Sequence, residues 1–286
     1  MRMNWKIMDE GDSDFYLKRY KRYLKEKGYR ESTVESYSSN IARYLKFVGT
    51  DKPTQKNFDE FKENFLFNRH LSRSSINNYY CTIMQYHKML GNEIKLLLLK
   101  NNVHLPFYFD EDDVNSIFAA CHNLKHYAML QTLFFGCLRA SELCHLEDSD
   151  LDLKNHTIRI REGKGGKDGI ALISEECVCT LKQYLEVRPL AEGKHQHLFC
   201  TDFNRSWEHT SVNRMFSIYK RKAGVDKPGG SHVFSRHTTA TLMISRGVPL
   251  NIVQKLLRHS DIRTTLRYAH VSEKVAREWY SKCLTL

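Results

Sequence analysis

Between positions 14 and 90 the apolar residues return every three or four places, a spacing that lays a stripe along one side of a helix. Phe15, Leu17, Tyr20 and Leu24 form the first stripe, closed by Gly28, since glycine turns left-handed at a helix end without steric cost. Ser32, with Glu35 three residues on, reads as the cap of a second helix carrying Val34, Tyr37, Ile41, Tyr44, Leu45 and Val48 up to Gly49. After Pro53 a third stretch bears Phe58, Phe61 and Phe65. A fourth, from about Ser72, bears Ile76, Tyr79, Tyr80, Ile83 and Tyr86. No strand signal interrupts these, so the first part of the chain is expected to be a small all-helical bundle.

The pattern then changes twice. Residues 91–110 lack helical punctuation and contain Pro106, as a connector would; helical spacing resumes over 111–120 and 127–146. Thr157 to Arg161 and Ile170 to Ile173 alternate around a glycine-rich turn at 163–169, which predicts a short β-hairpin. From 176 onward the chain reads as helices, broken near 189–197 and 227–230. The expected fold is mainly α: a helical bundle at 12–92, a linker at 93–110, and a mixed α/β, mostly helical domain with a small sheet at 111–286.

Charge narrows the partners. Lys and Arg number 44 against 33 Asp and Glu, a formal charge of +11, on a chain that is 41% apolar and thus foldable. Such a field attracts polyanions, either nucleic acid or an anionic membrane. No apolar run approaches the roughly 18 residues needed to cross a bilayer, and the N-terminus lacks the apolar core of a secretory signal. Double-stranded DNA, no membrane, and a cytoplasmic location are the expectations. Eight cysteines are scattered without metal or redox spacing and read as reduced thiols.

Three segments carry chemistry. The first, GCLRASEL at 136–143, places Arg139 in an apolar stretch expected to be helical. An Arg139–Glu142 ion pair would account for it, and so would a guanidinium aimed at a phosphate. The second, GKGGKDG at 163–169, sets lysines on a turn; it could be a solvated loop or deliver an ammonium to a leaving oxygen. The third spans HVFSRHTTATLM at 232–243 and LLRHSDIRTTLRYAHVS at 256–272. His232, His237, His259 and His270 could be read as a zinc site, but no pair has ligand spacing on one helix face, so no metal is expected.

Taken in order, GCLRASEL, the GKG turn, RHTTAT, RHSDIRTT and the tyrosine followed by Ala269 and His270 resemble the tyrosine recombinases of the phage-integrase and Xer type. The first half, with YRESTVESYSSNIARYLKFV and LSRSSINNYYCTIMQYHKML, is similar to that family's SAM-like core-binding domain. The resemblance covers nearly the whole chain and makes the second half the catalytic domain. It implies a site-specific recombinase or integrase that cuts and rejoins DNA through a 3′-phosphotyrosine. Type IB topoisomerases share the chemistry, and a DNA-binding regulator of the same fold would share the shape.

By the same resemblance Arg139 and Arg236 are the two phosphate-binding arginines, Lys164 the hairpin lysine that protonates the leaving 5′ oxygen, His259 the late histidine, and Tyr268 the nucleophile. The family histidine three residues before the second arginine has no exact counterpart: position 233 is valine, and His232 stands four before Arg236. Offsets of three and four share a helix face, so His232 can serve if the turn adjusts. Arg258 stands where the family usually has glycine. No cofactor is implied. Arg30, Arg43, Arg73 and Asn77 are candidate DNA contacts near the starts of the second and fourth helices. The two basic domains would clamp duplex DNA, a dimer forming on each site and a tetramer at synapsis, with Val275, Trp279 and Leu284 of the tail docking on a neighbour.

Overall fold

A computed structural model of the protein describes residues 10–100, 107–161, 168–188, 197–201, 205–268 and 280–281, without the side chains of 10–13. The chain divides into two compact units, Met1–Val103 and His104–Leu286.

The first unit holds α1 (Glu10–Glu26), α2 (Glu31–Val48), α3 (Gln55–Phe61), which runs on as a π-helical turn through Lys62–Phe67, and α4 (Arg73–Leu90). The apolar stripes meet inside it: Tyr20, Leu24, Ile41, Tyr44, Phe61, Ile83 and Tyr86 are all fully buried. Phe61 stacks on Phe65 with ring centres 4.6 Å apart, while Tyr44 meets Phe61 edge-on at 5.0 Å, the geometries aromatic quadrupoles favour. Two buried tyrosine hydroxyls are satisfied by backbone carbonyls, Tyr20 donating to Thr82 O and Tyr86 to Asp51 O, each at 2.8 Å.

Helix ends follow capping chemistry with one correction. Gly49 and Gly91 close α2 and α4 at φ 69° and 76°. Ser72 caps α4 by accepting from the Ser75 N–H at 3.1 Å; Ser72→Ala is expected to lower stability by about 1 kcal/mol, which chemical denaturation would register. Ser32, however, does not cap α2. The helix begins at Glu31 behind Arg30, which makes no side-chain cap bond. Glu35, the other half of the expected capping pair, turns to Lys21 of α1 at 3.0 Å, and Glu31 pairs with Lys25 at 3.0 Å. Packing against α1 thus outcompetes the local cap.

The second unit contains α5 (Glu111–Ala119), α6 (Leu124–Phe135), α7 (Ala140–Cys144), α8 (Glu175–Val187), α9 (His209–Lys222), α10 (Thr239–Ser245), α11 (Leu250–Leu256) and α12 (Arg263–Leu266). Its sheet has three antiparallel strands, β1 (Leu151–Asp152), β2 (Thr157–Ile160) and β3 (Gly169–Leu172), rather than the expected hairpin alone. Phe234 sits at the centre of the main core, its ring 5.0 Å from Phe216 and 5.1 Å from Phe134. A smaller core joins Cys137, Ala240, Ile244, Val253 and Leu257 to the ring of Tyr268.

The helix expected over 127–146 is two helices. Cys137 takes a left-handed φ of 49°, and the chain turns at 136–139 before α7 begins. Arg139 is therefore not within a helix: it occupies the N-cap of α7 with extended backbone. A Cβ on Gly136 would lie 2.7 Å from the Thr132 carbonyl, so a side chain there would collide with the turn before it.

Candidate active site

Two helix ends build the site. At the end of α6, the Cys137 N–H bonds Phe134 O at 3.1 Å and the Leu138 N–H bonds Leu133 O at 3.0 Å. At the end of α11, the Arg258 N–H bonds Lys255 O at 3.0 Å and the His259 N–H bonds Gln254 O at 3.1 Å. Each pair forms a Schellman turn, whose penultimate residue must adopt left-handed backbone. Cys137 and Arg258 fill those positions at φ 49° and 54°. The glycine common in the family at position 258 fits the second turn without strain, whereas arginine bears a cost of about 1 to 2 kcal/mol. The turns send the chain on to Arg139 and to His259.

A helix end leaves carbonyls without intrahelical partners and carries partial negative charge, so guanidinium groups suit it. Arg236, only 1% exposed, donates to Cys137 O at 2.8 Å and to Leu257 O at 2.6 Å, fastening the two ends together. Burial, then the nearby charge of Arg139, bring its pKa down to about 10, so it is still a cation at neutral pH.

Arg236 stands in a π-helical turn, Val233–Thr238, which begins directly after His232. A π turn takes up one more residue than an α turn. His232 lines the same pocket as Arg236. That pocket, about 200 Å³, is also lined by Arg139, His259 and Tyr268. Arg139 is ion-paired to Glu142 and also lines the pocket. His259 is fixed by the Thr265 hydroxyl, 2.9 Å from its Nδ1. Five of the six expected site residues therefore share one cavity. The sixth, Lys164, lies outside the described residues, as does His270.

The pocket holds further residues, to which the sequence assigned no role in the reaction. Arg258 and Arg267 add two more cations. His237, considered only as a metal ligand, lies 2.7 Å through Nδ1 from the Tyr268 hydroxyl, its ring 5.0 Å from that of His232. Among the described residues no group of three His, Cys, Asp or Glu side chains is arranged to hold a metal ion. Burial, then His232, lower the His237 pKa to about 4. Burial raises that of Tyr268 against the opposing pull of Arg236 and Arg267. At neutral pH a protonated phenol thus faces a neutral imidazole that can accept its hydrogen bond.

The His237 shift has a measurable consequence. Below pH 6.5 the unfolded chain binds a proton that the folded chain refuses until about pH 4. Stability that is complete above pH 6.5 is therefore lost as the pH falls towards 4, by about 3 kcal/mol. Denaturation curves across that window should show a steeper decline in the wild type than in His237→Gln. Identical slopes would contradict the shift.

In the first unit Arg30, Arg43 and Arg73 are exposed, Arg43 donating to the Tyr79 hydroxyl at 3.2 Å and Arg73 to Lys100 O at 3.1 Å. Asn77 is half-buried and binds the backbone of Leu99 in both directions, at 2.9 and 2.8 Å.

An arginine pair at two stitched helix ends, histidines beside them and a tyrosine opposite define a tyrosine recombinase. Residues 108–274 match the phage integrase family and residues 16–97 the phage integrase N-terminal SAM-like domain. The chain belongs to the phage integrase family. It is 27% identical over 275 residues to the tyrosine recombinase XerC of Staphylococcus saprophyticus, covering 89% of this chain and 92% of that one. Among solved structures, the XerA recombinase is 26% identical with a TM-score of 0.57, covering 96% of this chain and 99% of that one. The XerH site-specific recombinase, bound to its difH substrate, shares the fold at 19% identity with a TM-score of 0.72, covering 96% and 90%. The protein is a site-specific recombinase.

Proposed function

We propose that the protein cuts one strand of duplex DNA at a time by attack of the Tyr268 phenol on a backbone phosphorus, and rejoins it when a DNA hydroxyl attacks the 3′-phosphotyrosine. What carries this reading is the meeting of Arg139, Arg236 and Tyr268 on one pocket. The phenol is a better leaving group than an alkoxide, so the intermediate keeps the bond energy needed for rejoining. Negative charge growing on the non-bridging oxygens meets guanidinium forks already in place. The phenol's proton passes to a neighbouring imidazole, with His237 within hydrogen-bonding distance and His232 beside it. His259 would hydrogen-bond the phosphate, and Lys164 would protonate the departing 5′ oxygen.

Duplex DNA as the partner is supported by the +11 charge and by the fold shared with the DNA-bound XerH complex. Arg30, Arg43 and Arg73 suit contacts to DNA, whereas the Asn77 amide serves its own backbone first. A dimer on each site and a tetramer at synapsis are part of the proposal, as is work inside the cell.

The test is a nicked suicide duplex, on which the cleaved end diffuses away and traps the intermediate. A covalent protein–DNA adduct should form in the presence of EDTA and without ATP, since the charges that stabilise the transition state belong to the chain. Absence of any adduct on the protein's own target site would contradict the proposal.

A further inference from the structure

We infer that Arg258 is a positioning residue of this site, holding the Arg139 loop, the His259 turn and the base of the β2–β3 hairpin in one register; this rests on the recombinase reading above. The backbone supplies the first argument. Arg258 occupies a left-handed position at φ 54°, where glycine would be free of strain, so its side chain must do something that glycine cannot.

The side chain's contacts show what that is. From the end of α11 its Nη1 donates to Gly136 O at 3.2 Å and to Leu256 O at 3.3 Å. Its Nη2 donates to Cys137 O at 3.1 Å and to a Glu142 carboxylate oxygen at 2.9 Å. The other Glu142 oxygen holds the Arg139 guanidinium, and the one bound by Arg258 also accepts the Arg139 N–H at 2.9 Å. Arg258 therefore grips the loop that presents Arg139 from two sides. It also offsets the buried Glu142 charge, leaving Arg139 less tightly held by that carboxylate when a phosphate enters.

The stem does a second task. A Cβ on Gly169 would lie 2.8 Å from Cδ of Arg258, so β3 begins pressed against the arginine's methylene groups. Gly169 is the first residue of β3, five positions after Lys164 in the chain. With both nitrogens of the fork occupied by protein, and the Nε buried without a partner, Arg258 acts through its neighbours rather than on the phosphate itself.

The experiment is single-turnover adduct formation at saturating suicide duplex, with DNA affinity and melting temperature measured alongside. Arg258→Gly relieves backbone strain but leaves buried Glu142 with one cation fewer, so it should melt below the wild-type temperature while staying folded under assay conditions, and should bind DNA within about twofold. Its cleavage rate should fall at least about tenfold, as expected for a loosened catalytic geometry. Free guanidinium ion, well below denaturing concentration, should restore part of that rate. Arg258→Lys, which keeps a charge without the fork, should be slow as well and gives a second reading if the glycine variant folds poorly. A wild-type rate in Arg258→Gly, or a loss that only follows reduced stability and is not restored by guanidinium, would overturn the assignment alone. Failure of the wild type to form any adduct would overturn it together with the recombinase reading.

Discussion

Replacing Tyr268 with phenylalanine is expected to abolish the covalent adduct, a loss on the order of 10⁴-fold or more, while DNA binding stays near that of the wild type. Affinity in this class of interaction comes mainly from cations on phosphates, and none is removed. The fold should survive too, because the ring packs with Ala240, Val253 and Leu257 and phenylalanine keeps it. What disappears is the hydroxyl held 2.7 Å from His237, leaving that nitrogen short of a partner at a cost of about 1 to 2 kcal/mol. Adduct electrophoresis with a parallel binding titration checks both halves. An adduct that persists would move the nucleophile elsewhere, Tyr280 being the first replacement to test.

Arg236→Ala should slow cleavage by about 10³-fold or more, the scale of losing a preorganised donor to a developing oxyanion. It should also cost stability, which separates it from Tyr268→Phe. The guanidinium ties Cys137 O to Leu257 O; without it the Leu257 carbonyl loses that donor and Cys137 O is left with Arg258. Arg236→Lys retains a charge but cannot bridge both carbonyls, so it should recover little of the rate. Single-turnover kinetics at saturating DNA would measure this, and an unchanged rate in Arg236→Ala would mean the pocket is not where the chemistry occurs.

The bundle was legible because its stripes are regular and its glycines stand where helices stop, as at Gly28, Gly49 and Gly91. The sheet was legible in the alternation of Thr157–Ile160, but β1 at Leu151–Asp152 is too short to have a period. The break between α6 and α7 was hidden: Met129, Leu130, Leu133 and Leu138 are all buried, and a run apolar on every side has no phase to lose where the helix ends. The missing cap at Ser32 shows tertiary pairing overriding a local signal, since Glu35 finds Lys21 instead.

The site was readable as an ordered set of segments, which is why Arg139, Arg236, His259 and Tyr268 could be chosen from the chain alone. How they meet was not. The π turn around Arg236 leaves only an unusual spacing in the sequence, and it takes the helix geometry to show that His232 lines the same pocket. Arg258 stood out only as an exception to a glycine. Its purpose depends on Gly136, Glu142 and Gly169, residues more than eighty positions away. His237 could have been suspected from its place beside Arg236, but its bond to the phenol across 31 residues has no local signature.

The account rests on three side chains sharing one phosphate, and a crystal structure of Tyr268→Phe bound to its uncleaved target duplex tests this most directly. Arg139 and Arg236 should each donate to non-bridging oxygens of the same phosphate, at about 2.8 Å. The ring at 268 should point its para carbon towards that phosphorus from the side opposite the 5′ oxygen. Arginines bound to different phosphates, or a ring at 268 directed away from the one they share, would contradict the account.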